Sequence, residues 1–148
     1  MILVTGGTGL VGSHLLLELA EAGERLRAIH RKASSLEGMK KVFSYGRKPE
    51  EAQKLFDSIE WIVADILEVP ALALAFEGVS QVYHCAALVS FSPSDYRKLR
   101  KVNIEGTANV VNLCIEKQVR KLCFVSSIAT FDLKIGQTTI DEGSIWNK

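Results

Sequence analysis

Spaced glycines near the start of the chain have the pattern of an anion-binding loop. The segment "LVTGGTGLVGSHLLLELAEAG", residues 3–23, is an apolar run that breaks at glycines and resumes with helical spacing. Its glycines fit two registers, Gly6-x-x-Gly9-x-x-Gly12 or Gly7-x-Gly9-x-x-Gly12. Backbone N–H groups at the start of the following helix would face a phosphate, and a glycine in the middle of the loop would leave space for a pyrophosphate. The spacing therefore predicts a dinucleotide-binding loop, with a tight β–α turn as the alternative.

The residues that end the second predicted strand bear on which dinucleotide would bind. Such loops are usually followed, about twenty residues later, by an acid that binds the ribose 2′-hydroxyl. No acid lies between Glu24 and Glu37, and Arg31 and Lys32 stand there instead. An arginine can bind a 2′-phosphate through two parallel hydrogen bonds. These cations predict a preference for NADP over NAD, with a solvated basic turn as the alternative.

The elements that must position these residues alternate between strand and helix. Apolar, β-branched runs predict five strands, at residues 1–5, 25–30, 60–66, 80–88 and 121–127. Helices are predicted over 9–23, 49–58, 70–78 and 94–117, and residues 34–48 are predicted to be irregular. This alternation predicts an α/β fold with a doubly wound parallel sheet, a Rossmann fold with strand order 3-2-1-4-5. The fifth strand is apolar enough to be buried on both faces.

Composition and charge narrow the range of partners. The 148 residues fit one domain, and the net charge of +1 gives no electrostatic reason to expect a nucleic-acid partner. Glycines and a histidine interrupt the uncharged stretch at the start of the chain, so no membrane partner is expected. Cys85, Cys114 and Cys123 lie in apolar segments at scattered spacing, which predicts reduced core thiols in a cytoplasmic protein. The histidines lack the spacing of metal ligands, and His84 is expected to be a hydrogen-bonded core residue.

Five segments resemble, in order and spacing, the motifs of one family. They are VTGGTGLVG (4–12), ADI (64–66), YHCAALVSF (83–91), VNIEGTANVV (102–111) and FVSSIATF (124–131). The family is that of the extended short-chain dehydrogenase/reductases, also called the NAD-dependent epimerase/dehydratase family. "HRKAS" and "HCAALVSF" are most similar to its dihydroflavonol-reductase and 3β-hydroxysteroid-dehydrogenase branch. The resemblance selects the register of Gly6, Gly9 and Gly12, and it implies an NADP or NAD cofactor bound by one domain, residues 1–148.

The resemblance also implies roles for individual residues. Besides Arg31 and Lys32, the residues expected to bind the cofactor are Gly6, Thr8, Gly9, Leu10, Val11, Gly12, Asp65, Ile66, Ala86, Ala87, Asn103 and Ser126. By analogy with the family, Asp65 would accept a hydrogen bond from the adenine amino group; a strand-end cap is the alternative. Asn103 would hold its helix and an active-site water, and a plain polar helix face is the alternative. Ser127 aligns with the family's catalytic serine, which orients the substrate oxygen.

The chemistry of the resembling family needs a Tyr-x-x-x-Lys motif, and this sequence contains none. Tyr45, Tyr83 and Tyr96 all precede Ser127. We therefore expect the chain to be part of a longer oxidoreductase, epimerase or dehydratase that acts on a carbonyl or hydroxyl of a small molecule, and to show no turnover alone. A non-catalytic dinucleotide-binding module that senses redox state or binds a partner is the alternative. The open edge of the fifth strand should be covered by the tail from Ile128 onward or by another copy of the chain, which would give a homo-oligomer.

Overall fold

Five parallel strands form the central sheet of the computed structural model, which describes residues 1–32, 34–132 and 139–146. The strands are β1 (Ile2–Thr5), β2 (Leu26–His30), β3 (Ile59–Val63), β4 (Gln81–His84) and β5 (Lys121–Phe124). Their spatial order is β3-β2-β1-β4-β5, and each neighbouring pair runs parallel. The predicted doubly wound α/β sheet, with its strand order 3-2-1-4-5, is confirmed.

Helices connect successive strands and cover both faces of the sheet. They are α1 (Leu10–Glu21), α2 (Glu37–Ser44), α3 (Pro49–Asp57), α4 (Val69–Ala75), α5 (Tyr96–Arg100), a π-helical segment (Lys101–Gly106) and α6 (Thr107–Glu116). The last three follow one another without a break, so the helix predicted over residues 94–117 is confirmed. Short 3₁₀ turns at Pro93–Asp95 and Ile128–Thr130, and an antiparallel pair of β6 (Phe131–Asp132) and β7 (Ile145–Trp146), complete the described elements.

Successive side chains of β1 supply the two apolar cores. Ile2 and Val4 pack in a cluster with residues of α1, α2 and α3, whereas Leu3 packs in a second cluster with residues of α4 and α6. Because side chains of a strand alternate between the faces of the sheet, a continuous apolar run serves both cores. This burial on two faces is the reason that the sequence of β1 shows no alternation of apolar and polar residues.

The prediction that residues 34–48 are irregular is wrong, because α2 lies within them. Met39 and Phe43, four residues apart, occupy one face of this helix and are fully buried. Phe43 meets Phe56 of α3 edge to face, with ring centroids 5.9 Å apart. The helix therefore depends on a tertiary contact, which the local sequence, interrupted by Gly38, signals only weakly.

The prediction that the fifth strand is buried on both faces is also wrong. All four residues of β5, Lys121–Phe124, are exposed, since β5 is the last strand of the sheet and the described residues after it leave it uncovered. Ile128, where the covering tail was expected to start, is itself 74% exposed. Cys123 is consequently not a core thiol, and Cys85 is only half-buried; of the three cysteines, Cys114 alone is buried as predicted. Cover of this edge by a second copy stays a prediction.

None of the helices in the described part of the chain combines the length and the hydropathy needed to cross a bilayer.

Candidate functional site

A cleft of about 340 Å³ opens at the carboxyl edge of the sheet. It lies where the strand order reverses between β1 and β4, the position at which open α/β sheets bind ligands. Its walls come from the β1–α1 loop, the end of β2, the segments after β3 and β4, and the helical run that begins with α5. Eight of the residues predicted to bind a cofactor line it: Gly6, Thr8, Gly9, Arg31, Asp65, Ile66, Ala86 and Ala87.

The glycine loop packs tightly against backbone atoms at Gly6 and Gly12 and is open at Gly9. Gly6 has a φ of +70°, and a Cβ there would lie 2.6 Å from the backbone nitrogen of Ala86. A Cβ at Gly12 would collide with the carbonyl oxygen of Gly6. A Cβ at Gly9 would meet only that same oxygen, at 3.3 Å, and would otherwise point into open space. Gly6 and Gly12 are thus required by the protein itself, whereas the open position at Gly9 leaves room for a ligand, as the Gly6, Gly9, Gly12 register anticipates.

The first turn of α1 presents unpaired donors beside this open position. Gly9 occupies the N-cap, where it offers no side chain to bond the first N–H groups of the helix. No acid lies in the first turn, and Leu10 and Val11 are 78% and 52% exposed. The helix start therefore offers backbone N–H groups and the positive end of the helix dipole to an anion. Leu10, Val11 and Gly12 do not themselves line the cleft but form this turn at its margin.

A buried hydrogen-bond network fixes the end of β4 against the glycine loop. The imidazole of His84 lies between two threonines, with Nδ1 2.6 Å from Thr5 Oγ1 and Nε2 3.0 Å from Thr107 Oγ1. The backbone N–H of Ala86 donates to Thr5 Oγ1 at 3.3 Å. Burial lowers the pKa of His84 to about 4, so its imidazole is neutral at physiological pH. The prediction that His84 is a hydrogen-bonded core residue is confirmed.

The long helical run holds two segments of the cleft wall in place. Asn103, in the π-helical segment, accepts a hydrogen bond from Leu88 N–H at 2.8 Å and donates one to Leu88 O at 2.9 Å. Asn109 donates to the carbonyl oxygen of Ile66 at 2.9 Å. Asn103 therefore does not line the cleft itself; it positions Leu88, which does. π-helical turns of this kind are frequent at functional sites.

The ends of β2 and β3 form the other end of the cleft. Asp65 Oδ1 accepts a hydrogen bond from Leu67 N–H at 2.9 Å, so this carboxylate caps the turn after β3, the alternative weighed for it. Arg31 and Ser34 line the cleft after β2, whereas Lys32 lies outside it; both cations are exposed. Asp65 is the one carboxylate among the described residues that line the cleft. The acid that usually binds a ribose 2′-hydroxyl after the second strand is thus missing here in space as well as in sequence.

The predicted catalytic serine is not brought into the cleft. Ser126 and Ser127 are exposed and lie outside the cleft lining, and Ser127 Oγ accepts a hydrogen bond from Ala129 N–H at 3.2 Å. The cleft lining includes none of the three tyrosines, Tyr45, Tyr83 and Tyr96. The described residues therefore gather eight of the fourteen residues expected to bind a dinucleotide, and they do not gather an acid–base set.

Several residues that line the cleft were missed in the sequence. They are Ile29, His30, Ser34, Ala64, Cys85, Leu88, Lys98 and Val102. Nothing in the sequence separates Lys98 from the neighbouring cations Arg97, Arg100 and Lys101. Ser34 was hidden in the stretch taken to be irregular.

Comparison with known proteins identifies the family. The chain matches the model of the 3-beta hydroxysteroid dehydrogenase/isomerase family over residues 3–145. The chain belongs to this family. The resemblance to the extended short-chain dehydrogenase/reductases, and to their dihydroflavonol-reductase and 3β-hydroxysteroid-dehydrogenase branch, is confirmed.

The curated relatives are considerably longer than this chain. A protein named putative dihydroflavonol 4-reductase, from Synechocystis sp., is 30% identical over 139 residues, which are 94% of this chain and 36% of that protein. UDP-glucose 4-epimerase of Dictyostelium discoideum is 36% identical over 135 residues, or 88% of this chain and 37% of that protein. The chain thus spans little more than a third of the length of either relative.

Solved structures share the fold. The crystal structure of gox2253 superposes with a TM-score of 0.80 and 31% identity, and the match covers 99% of this chain and 40% of that one. A short-chain dehydrogenase/reductase superfamily protein from Agrobacterium tumefaciens, crystallised with bound NAD, has a TM-score of 0.66 and 29% identity, covering 88% of this chain and 33% of that one.

Proposed function

We propose that this chain is the dinucleotide-binding part of an NADP(H)-preferring oxidoreductase, epimerase or dehydratase that acts on a carbonyl or hydroxyl of a small molecule. The observation that carries the proposal is the cleft at the switch point of the sheet, with an open glycine position on one side and Arg31 in place of an acid on the other. Family membership and the NAD-bound Agrobacterium relative support a nicotinamide dinucleotide as the ligand.

The residues of the cleft suit the diphosphate and adenine parts of such a ligand. The space that a Cβ at Gly9 would fill, together with the unpaired N–H groups of α1, suits a diphosphate. Ala86 and Ala87 are small enough to let a ligand lie against the backbone of the segment after β4. Asp65 and Ile66, after β3, would border the adenine. When bound, a nicotinamide dinucleotide supplies or accepts a hydride.

The preference for NADP(H) rests on the charge at the end of β2. Arg31 could bind a 2′-phosphate through its guanidinium fork, and the neighbouring Ser34 hydroxyl lines the same wall. A ribose 2′-hydroxyl would find no carboxylate after β2 to accept its hydrogen bond. We place the 2′-phosphate at Arg31 rather than Lys32, because Lys32 lies outside the cleft.

Titration with both reduced cofactors tests the proposal. A hydrogen-bonded arginine–phosphate pair contributes about 1.5–3 kcal/mol, so NADPH is expected to bind about ten- to a hundredfold more tightly than NADH. Arg31→Ala should remove most of this difference by weakening NADPH alone. Binding can be followed by nicotinamide fluorescence, or by quenching of Trp61, which lies with its ring 6.1 Å from that of His30 in the cleft wall.

Lys32→Ala is the matched control, since it removes one neighbouring charge outside the cleft. It should leave the ratio of the two dissociation constants within about twofold of the wild-type value. Equal affinities for NADPH and NADH in the wild type, unchanged by Arg31→Ala, would contradict the preference for NADP(H). Absence of binding by either cofactor would contradict the proposed function as a whole.

A further inference from the structure

The helical run after β4 concentrates positive charge beside the cleft. Arg97, Lys98, Arg100 and Lys101 lie within five consecutive residues, and all four are exposed. Of these four, only Lys98 lines the cleft. Of these four charged side chains, one therefore borders the candidate site.

The packing of the helical run explains why Lys98 faces inward. Val102, four residues later, also lines the cleft. Gly106, four residues further, packs so closely on Ile66 that a Cβ there would lie 2.5 Å from Ile66 Cδ1. Lys98, Val102 and Gly106 therefore lie on the side of the helical run that faces the cleft and Ile66. Asn103 holds the helical run against Leu88 through two hydrogen bonds, so packing fixes the backbone of the run with Lys98 beside the cleft.

Lys98 has no carboxylate partner among the described residues. The described ion pairs and side-chain hydrogen bonds do not include it. Asp95, the nearest acid along the chain, accepts a hydrogen bond from Ser90 Oγ at 2.6 Å. Asp65, the acid of the cleft lining, accepts from Leu67 N–H. An unpaired ammonium in the wall of a cleft attracts anions more strongly than one on an open surface.

The sheet order sets Lys98 and Arg31 on opposite sides of the glycine loop. Arg31 follows β2 and Lys98 lies on the helix that follows β4, and these two strands flank β1 on either side. A ligand with two separate anionic groups would suit this arrangement. One anionic group of the ligand, at the end of β2, would face Arg31. The other anionic group, at the glycine loop, would face Lys98 on the β4 side.

We propose that Lys98 binds the diphosphate of the dinucleotide from the α5 side of the cleft, opposite the N–H groups of the glycine loop. The inference rests on the proposed function and adds to it a cation that does not discriminate between NADPH and NADH. Because NADPH and NADH share the diphosphate, Lys98 contributes equally to both affinities. Arg31, by contrast, contributes to NADPH alone.

The test compares Lys98→Met with Lys101→Met. Both variants remove one lysine charge from the same helical run, and only Lys98 lines the cleft. Lys98→Met is expected to weaken the binding of NADPH and of NADH by the same factor, about three- to fivefold, and to flatten the salt dependence of binding. Lys101→Met should change either affinity by less than about twofold. Because Lys98 is exposed, thermal melting should show an unaltered fold for both variants.

Each other outcome overturns the inference in a recognisable way. Equal losses for Lys98→Met and Lys101→Met would indicate a general field effect rather than a contact. A loss confined to NADPH would assign Lys98 to the 2′-phosphate. Wild-type affinity in Lys98→Met, with Arg31→Ala still impaired, would overturn the role of Lys98 and leave the proposed function standing. If the wild type bound neither dinucleotide, the proposed function would fail together with this inference.

Discussion

Gly12→Ala is expected to lower the free energy of unfolding by about 3 kcal/mol, whereas Gly9→Ala should leave it within about 0.5 kcal/mol of the wild type. The two changes add the same methyl group to the same loop. At Gly12 the methyl would collide with the carbonyl oxygen of Gly6, a backbone atom that cannot move without shifting the loop. Gly6 is itself held against Ala86, so the strain cannot be relieved on that side. At Gly9 the nearest atom is 3.3 Å away, and the backbone angles are those of an ordinary extended residue.

Cofactor affinity should rank the same two variants in the opposite order from stability. The methyl at Gly9 would occupy space beside the unpaired N–H groups of α1, so Gly9→Ala is expected to weaken NADPH at least about tenfold. Gly12→Ala, measured where it is still folded, should bind more nearly as the wild type does. Urea denaturation gives the free energies, and cofactor titration gives the affinities. A stable Gly12→Ala would contradict the close packing of Gly12 on Gly6, and full affinity in Gly9→Ala would show that the loop is a tight turn that binds no ligand.

The fold could be predicted because its signals are local. Apolar strand runs, helix-ending glycines and the glycine spacing after β1 are each contained in a short stretch of sequence. The helix α2 escaped prediction because Phe43 finds its partner, Phe56, on another helix. The exposure of β5 escaped prediction for a related reason. An apolar run indicates that a strand can be buried, and only the surrounding structure decides what covers it.

The site was predicted where motif residues touch the cleft directly. Arg31 and Lys32 are adjacent and equally basic in the sequence, yet only Arg31 lines the cleft. Lys98 is likewise indistinguishable in sequence from the cations around it. The π-helical segment changes the number of residues per turn, so the direction in which Lys98 points depends on how the whole helical run packs. Which of several neighbouring cations lines the cleft depends on packing, which a single sequence does not reveal.

Acidification is expected to destabilise the chain through one buried histidine. The pKa of His84 is lowered by burial from 6.5 to about 4 in the folded state. Between these values the unfolded chain binds a proton that the folded chain does not, so the stability contributed by the neutral imidazole is complete above about pH 6.5 and is lost as the pH falls toward 4. A lowering of this size corresponds to about 2 kcal/mol between pH 7.5 and pH 5.

The His84→Gln variant isolates this effect, because glutamine can occupy part of the network between Thr5 and Thr107 but does not titrate. It should be less stable than the wild type at pH 7.5, since a well-packed hydrogen bond is lost, yet its stability should fall less steeply between pH 7.5 and pH 5. His14→Gln is the matched control; His14 is exposed, so this change should leave the wild-type slope intact. Free energies of unfolding from urea melts at each pH give the three slopes. If His84→Gln were as acid-sensitive as the wild type, the proton taken up on unfolding would belong to a group other than His84.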